Sequence, residues 1–340
     1  MIHQFFNFAE YPVDLFFILS GFILNWVYLP NNTSLNWSSY LRARVARILP
    51  LYYLTTFLTI PLVIYSFVRY GSAYMKGFTV HGYLIDFIQN LFLVSGIVDG
   101  FHHTFNGPAW SICVEFFCYL AVFPLLVYFK KVFSNKPYYL VPSLILVGVF
   151  THNLVASYGM PRIPIGNWQW DSHWLLRGIS GFVVGFCLCS IYQNHSNWIP
   201  NIWFVNLAVL VPISAMVLVG FDFLPGHAVL YVLPILVFFS AMDRGVAANL
   251  LKTKGIQWLG ERSYSIYLWH SMLPGKLTGF LQNHLPSNVY FVVVVILILG
   301  VSELSYRFFE CPCREYLRKF SFSSAKRNAV VSSVGERSTP

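Results

Sequence analysis

Tyr11-Pro12-Val13-Asp14-Leu15-Phe16-Phe17-Ile18-Leu19-Ser20-Gly21-Phe22-Ile23-Leu24-Asn25-Trp26-Val27-Tyr28-Leu29 is an almost unbroken apolar run with one carboxylate, Asp14, near its start. Wound as an α-helix at 1.5 Å per residue it extends ~28 Å. That is close to the ~30 Å of a bilayer's hydrocarbon core. The pattern is continuous rather than alternating, so it reads as a membrane-spanning helix and not as a strand of a membrane barrel.

Working outward, comparable runs recur along the whole chain. They cover Ile48–Val68, Pro108–Phe129, Tyr138–Ala156, His173–Tyr192, Ile202–Gly220, Gly226–Met242, Ile256–Pro274 and Asn288–Phe308. The expected architecture is therefore all-α, a polytopic transmembrane bundle of about nine visible spans over residues 1–320. Residues 321–340 read as a basic, disordered tail. Composition agrees: 56% of the 340 residues are hydrophobic and 10% charged. Mean hydropathy is +0.59. Soluble domains carry about 25% charged residues. Gly82–Ile97 is apolar too, but it is short and holds Asp86, Gln89 and Asn90. It reads as a re-entrant or interfacial helix.

The net charge of +9 would raise nucleic acid as a partner in a soluble protein. In a membrane protein it is read through its sidedness. With Arg42, Arg44 and Arg47 in the cytoplasm and Gly82–Ile97 not crossing, seventeen of the 22 Lys and Arg face the cytoplasm. Arg69, Lys76, Arg162, Arg177 and Lys276 face the other side. This is the positive-inside pattern with a cytoplasmic C-terminus. The lipid bilayer is then the first partner, and nucleic acid is not expected. Residue 1 falls outside in this topology, directly before a span. No cleavable signal peptide is visible. The reading therefore expects a further span ahead of the chain, which makes ten in all.

The six cysteines, Cys113, Cys118, Cys187, Cys189, Cys311 and Cys313, show neither metal-ligand nor disulfide-framework spacing. They read as buried free thiols, and no metal is expected. Trp168 and Trp170, in the outer loop Ser157–Ser172, suit a membrane interface. Stacking on a sugar-like acceptor is the other reading of that pair.

Ionisable groups inside spans cost about 2.5–3.5 kcal/mol on insertion scales and are functional by default. They are few: Asp14, Glu115, His270, and Glu303 with Glu310 around the last span. Arg307 stands four residues from Glu303 and three from Glu310, a spacing of local helix ion pairs. Arg42, Arg44 and Arg47 enter the second span. They read either as a snorkelling orientation signal or as a phosphate clamp, since guanidinium is a planar, bidentate donor. Taken alone, His3 is an inert near-terminal residue.

These segments, in order, resemble a known family. Val13–Phe22, the Arg-rich Tyr40–Tyr53, Asn106-Gly107-Pro108-Ala109-Trp110-Ser111-Ile112-Cys113-Val114-Glu115, Leu259–His270 and Ser305–Arg314 are similar to signature stretches of the acyltransferase 3 family of membrane O-acyltransferases. The match runs from His3 to about Lys319. The resemblance implies a ten-helix bundle that moves an acyl group, commonly acetyl, from cytoplasmic acyl-CoA to a hydroxyl of an envelope carbohydrate or glycolipid. It implies the bacterial cytoplasmic (inner) membrane. It also places a required histidine at the end of the first helix, which His3, eleven residues before Asp14, matches. The family's Arg-x-Arg pair corresponds to Arg42 and Arg44, and its glutamate to Glu115. The family's arginine three turns before the histidine has no counterpart in this chain.

On this reading His3 deprotonates the acceptor hydroxyl or carries the acyl group. Glu115 orients or charge-balances His3, and Arg42, Arg44 and Arg47 hold the donor phosphates. Asp14, Trp110, Ser111, Tyr267, Trp269 and His270 are candidates to contact the substrate. Packing accounts equally well for Tyr267, Trp269 and His270. The competing class is a transporter or flippase of a glycan-type substrate, because polar mid-span residues also suit a pathway.

Overall fold

The computed structural model describes residues 11–30, 35–70, 80–95, 97, 105–132, 163–165, 168–170, 172–195, 199–221, 223–224, 228–273, 279–282 and 284–319. His3, the run 138–156 and the tail 321–340 lie outside them.

The described chain is a helical bundle, as the apolar runs require. The elements are α1 (Tyr11–Tyr28), α2 (Trp37–Tyr70), α3 (Val80–Leu91), α4 (Ala109–Phe117), α5 (Phe123–Val132), α6 (Ser172–Asn194), α7 (Ile202–Gly220), α8 (Ala228–Ser240), α9 (Gly245–Leu251), α10 (Lys254–Met272), α11 (Gly279–Gln282) and α12 (Ser287–Ser305). A π-helical turn, Cys118–Val122, joins α4 to α5, and a second, Tyr306–Glu310, follows α12. Between α5 and α6 a two-stranded antiparallel ladder pairs β1 (Ile163–Ile165) with β2 (Trp168–Trp170), Ile163 opposite Trp170.

Eight of the nine expected runs fall on these helices. By length and composition five are membrane spans, or six if α8 and α9, bent by 78° to each other, count as one. α1 is a shorter apolar helix. α10 is diluted by Lys254, Glu261, Arg262 and His270. α3 has 12 residues, which reach only ~18 Å, too short to cross as a straight helix. The expected span Gly226–Met242 falls on α8, which ends at Ser240, and the chain then turns into α9. At that turn Gly245 has φ +82, and a Cβ there would stand 2.2 Å from Asn206 Oδ1. The same oxygen accepts the Val246 N–H at 2.9 Å, so only glycine fits.

The helices form two compact units. One holds α1, α4 to α9 and most of α3; the other holds α2, α10 from Glu261 onward, α11 and α12.

In the first unit α1 and α6 pack along their length. Small residues make this possible. A Cβ at Gly21 would stand 1.9 Å from the Phe182 carbonyl oxygen, and one at Gly185 would stand 1.8 Å from that of Ile18. Gly181 and Gly185 form a small-xxx-small step, which lets backbones approach where lipid offers no hydrophobic drive. Ile18, Phe22, Val184, Leu188, Val229, Leu233 and Val237 fill the core between α1, α6 and α8.

In the second unit the Tyr264 hydroxyl of α10 donates to the Ile48 carbonyl of α2 at 2.7 Å. Further along, Leu62 packs with Trp269, Met272 and Leu273. α2 carries Pro50 and Pro61 inside its length. Each removes one backbone donor, a loss that polar neighbours offset in membrane helices.

Candidate functional site

Each unit contains a ladder of buried polar groups, and most residues named from the sequence lie on one of them.

In the first unit the ladder climbs three helices that run in the same direction. At the start, Asp14 of α1 is fully buried and accepts from Arg177 of α6, Nε to Oδ1 and Nη2 to Oδ2, both at 2.7 Å. Arg177 is itself buried. Its guanidinium carbon lies 5.8 Å from the Trp174 ring. Trp174 packs on Trp110 of α4 at a centroid distance of 4.4 Å, and Trp110 meets Phe17 at 6.3 Å. Ser111, next to Trp110, is fully buried.

One or two turns further, Glu115 of α4 is buried. It accepts from Ser20 Oγ of α1 at 2.9 Å and from the Tyr119 hydroxyl. Tyr119 belongs to the first π turn and packs edge-on to Phe182 of α6. π turns of this kind are frequent at functional sites.

At the far end, Lys130 of α5 donates to Asn25 Oδ1 at 2.8 Å and to Gln193 Oε1 at 3.0 Å. Asn25 Nδ2 in turn reaches the Phe186 carbonyl at 2.7 Å and Ser190 Oγ at 2.8 Å.

The order of these contacts fixes the three helices as parallel. Asp14 meets Arg177 at the starts of α1 and α6, and Lys130 meets Asn25 and Gln193 at the ends of all three.

In the second unit the ladder runs along α2 and α10. Arg42 and Arg47 are exposed and Arg44 half-buried near the start of α2. Glu310, in the second π turn, is buried. It accepts from Ser265 Oγ of α10 at 2.7 Å and from Arg314. α2 packs against this π turn, and Arg47 lies within electrostatic reach of Glu310.

Beside it Glu303 holds Arg262 of α10 and Arg307, four residues on. The Arg262 guanidinium stacks over Tyr306 at 4.5 Å. Further along, Asn106 Nδ2 donates to Thr55 Oγ1 at 3.1 Å, and the Tyr267 hydroxyl to the Pro108 carbonyl at 3.2 Å. His270 is exposed, its Nδ1 against the Tyr267 carbonyl. Trp269 is buried, and its indole nitrogen has no hydrogen-bond partner among the described residues.

The structure thus brings Asp14, Trp110, Ser111 and Glu115 into one unit and Arg42, Arg44, Arg47, Tyr267, Trp269 and His270 into the other. His3 lies outside the described residues. Five polar residues escaped the sequence reading: Ser20, Tyr119, Arg177, Lys130 and Arg262. The last three were counted only as charges at span ends. The Glu303–Arg307 pair follows the expected spacing, whereas Glu310 pairs four residues on, with Arg314, instead of back to Arg307.

Buried carboxylates held by hydroxyl donors can orient or charge-balance a base. Arg44 and Arg47, three residues apart on one face of α2, can hold phosphate.

A family model described as an acyltransferase domain, Acyl_transf_3, matches residues 1–307. O-acetyltransferase OatA of Staphylococcus aureus is 24% identical over 95% of this chain and 55% of its own length. Peptidoglycan O-acetyltransferase OatA of Listeria monocytogenes is 28% identical over 89% of this chain and 51% of its own length. The chain spans about half the length of these curated relatives. No solved structure matches it.

Proposed function

Because the chain belongs to the acyltransferase 3 family, we propose that it transfers an acetyl group from cytoplasmic acetyl-CoA to a hydroxyl of an envelope carbohydrate. Peptidoglycan, the acceptor in the name of the Listeria relative, is the acceptor class we favour. The observation that carries this reading is the family match over residues 1–307, with Glu115 buried at its motif position.

A sugar hydroxyl needs a general base at neutral pH, and imidazole has the right intrinsic range. We assign that role to His3. Glu115, fixed by Ser20 and Tyr119, orients or charge-balances the imidazole as it gains a proton. The thioester oxygen gains charge during attack and needs donors nearby. Arg42, Arg44 and Arg47 hold the donor phosphates by charge-assisted bonds. Asp14 is engaged by Arg177, so its part is to fix α1 against α6 beside Trp110 rather than to bind substrate through a free carboxylate. The cytoplasmic membrane with a cytoplasmic C-terminus is the expected setting, since it presents the arginines to soluble acetyl-CoA.

The test uses inside-out membrane vesicles given acetyl-CoA labelled on the acetyl group, with wild type compared to His3→Ala. Label entering envelope carbohydrate only with wild type supports the reading. Label entering equally with both variants removes His3 from the mechanism. No label and no CoA binding with wild type favours a glycan transporter instead.

A further inference from the structure

The closing segment 311–319 brings an arginine to the donor end that the sequence reading counted only as tail charge. Arg314 is three-quarters buried and donates through Nη2 to Glu310, which is almost fully buried. Its Nε–H is buried and has no hydrogen-bond partner among the described residues. A buried guanidinium donor left unmade costs about as much as a lost hydrogen bond, so such a group usually marks a missing partner.

The same Glu310 carboxylate takes the Ser265 hydroxyl and lies within reach of Arg47 from α2. Arg314 pairs with Glu310, and Arg47 adds a second positive charge within electrostatic reach of the same carboxylate, so one positive charge is left over. The helices around them are tied together: Tyr264, one residue before Ser265, donates to the Ile48 carbonyl, one residue after Arg47. The carboxylate and the tyrosine together fix where α2, α10 and the closing segment present their cations. A ligand that satisfies Arg314 Nε–H and the surplus charge is an anion with several acceptor oxygens. Phosphate fits, because guanidinium binds it through two donors at once.

We propose that Arg314 and Arg47 form a phosphate-binding subsite positioned by Glu310. Its occupant, on the acyl-transfer reading on which this inference rests, is a phosphate of the CoA donor. Glu310 acts as a positioning residue, holding Arg314 while Ser265 takes its second oxygen. A phospholipid headgroup offers the same chemistry and is the competing source.

The experiment uses the full chain in phosphatidylcholine nanodiscs and measures binding of CoA and of pantetheine, which has no phosphate. Arg314→Gln is expected to weaken CoA binding about tenfold or more while leaving pantetheine unchanged. Arg314→Lys should fall between Arg314→Gln and wild type, since charge without the fork keeps only part of the contact. Arg307→Gln, in the π turn just before that segment and paired with Glu303, should bind CoA as wild type does. Equal CoA affinity of wild type and Arg314→Gln overturns the proposal. If wild type binds no CoA, the acyl-transfer reading falls, and phosphatidylglycerol vesicles decide the subsite. Retention that depends on Arg314 keeps it as a lipid-phosphate site, and retention independent of Arg314 overturns it. Should Arg314→Gln fail to fold, Arg47→Gln is tested on the same ligands with the same readings.

Discussion

Arg177 and Asp14 are 163 residues apart in sequence and meet through two hydrogen bonds of 2.7 Å, each side chain less than a tenth exposed. The pair ties the start of α6 to the start of α1. Its geometry is the fork-to-carboxylate match that guanidinium makes and ammonium does not.

Removing one partner should therefore cost far more than removing both. Arg177→Leu takes the guanidinium away from the buried Asp14 carboxylate, and a loss of about 3–5 kcal/mol is expected. The double variant Asp14→Asn, Arg177→Gln should lose clearly less. Thermal unfolding of detergent-purified protein measures this. A single variant that unfolds at the wild-type temperature would show that the pair contributes nothing net.

Glycine at the α1–α6 crossing has a different physical basis and gives a separable prediction. Gly185→Ala puts a methyl 1.8 Å from the Ile18 carbonyl oxygen, a backbone atom that cannot rotate away. A loss of about 1–3 kcal/mol or more is expected from the forced separation of the helices. Gly300→Ala, in α12 with open space around it, is the matched control. It should be neutral or stabilising by up to about 1 kcal/mol, since alanine is the better helix former. Equal melting temperatures for the two variants would remove the close approach as a stabilising feature.

These two features also mark what the sequence could and could not reveal. The helices were legible because lipid demands long apolar runs, and α1, α6, α7 and α12 follow them closely, while α2 starts at Trp37, eleven residues before its run. The small-xxx-small step at Gly181 and Gly185 was visible and went unread. The partner of Asp14 was not visible: Arg177 stands at a span end, where a positive charge ordinarily signals only orientation. Arg262 was hidden in the same way, and its neighbour Glu303 was matched to Arg307 by i,i+4 spacing, which finds contacts within a helix and none between helices. At the 78° turn after Ser240, Gly245 takes its positive φ beside the Val246 N–H to Asn206 bond, which closes across 40 residues. Both π turns, which hold Tyr119 and Glu310, leave no periodicity signal strong enough to read.

The Glu115 cluster separates packing from chemistry. Glu115→Gln keeps the volume and an acceptor for Ser20 while removing the charge. It should fold as wild type and lose acetyl transfer by about 100-fold, the lower range for a group that assists proton transfer. Tyr119→Phe removes one donor to that carboxylate and should lose less. The vesicle assay with labelled acetyl-CoA reads both variants. Full transfer by Glu115→Gln would leave the carboxylate with a purely structural part.

Lys130 tests the opposite end of the same ladder, where α1, α5 and α6 all finish. Helix C-termini carry partial negative charge, so an ammonium among three of them is favoured without a carboxylate partner. None of the described carboxylates bonds to Lys130; Asn25 and Gln193 take its protons. Lys130→Met keeps most of the stem but leaves two amide oxygens without their donor, each in a largely buried setting. At about 1–3 kcal/mol per orphaned group the expected loss is roughly 2–6 kcal/mol. Lys130→Arg keeps the charge but not the compact donor, and should recover only part. Cys189, fully buried in α6 four residues before Gln193, reports on the same end. In Lys130→Met its thiol should react with a maleimide faster than in wild type, because the helix ends separate. Unchanged melting and unchanged labelling would mean that the three helix ends hold together by apolar packing alone, with Asn25 retained through its bonds to Phe186 and Ser190.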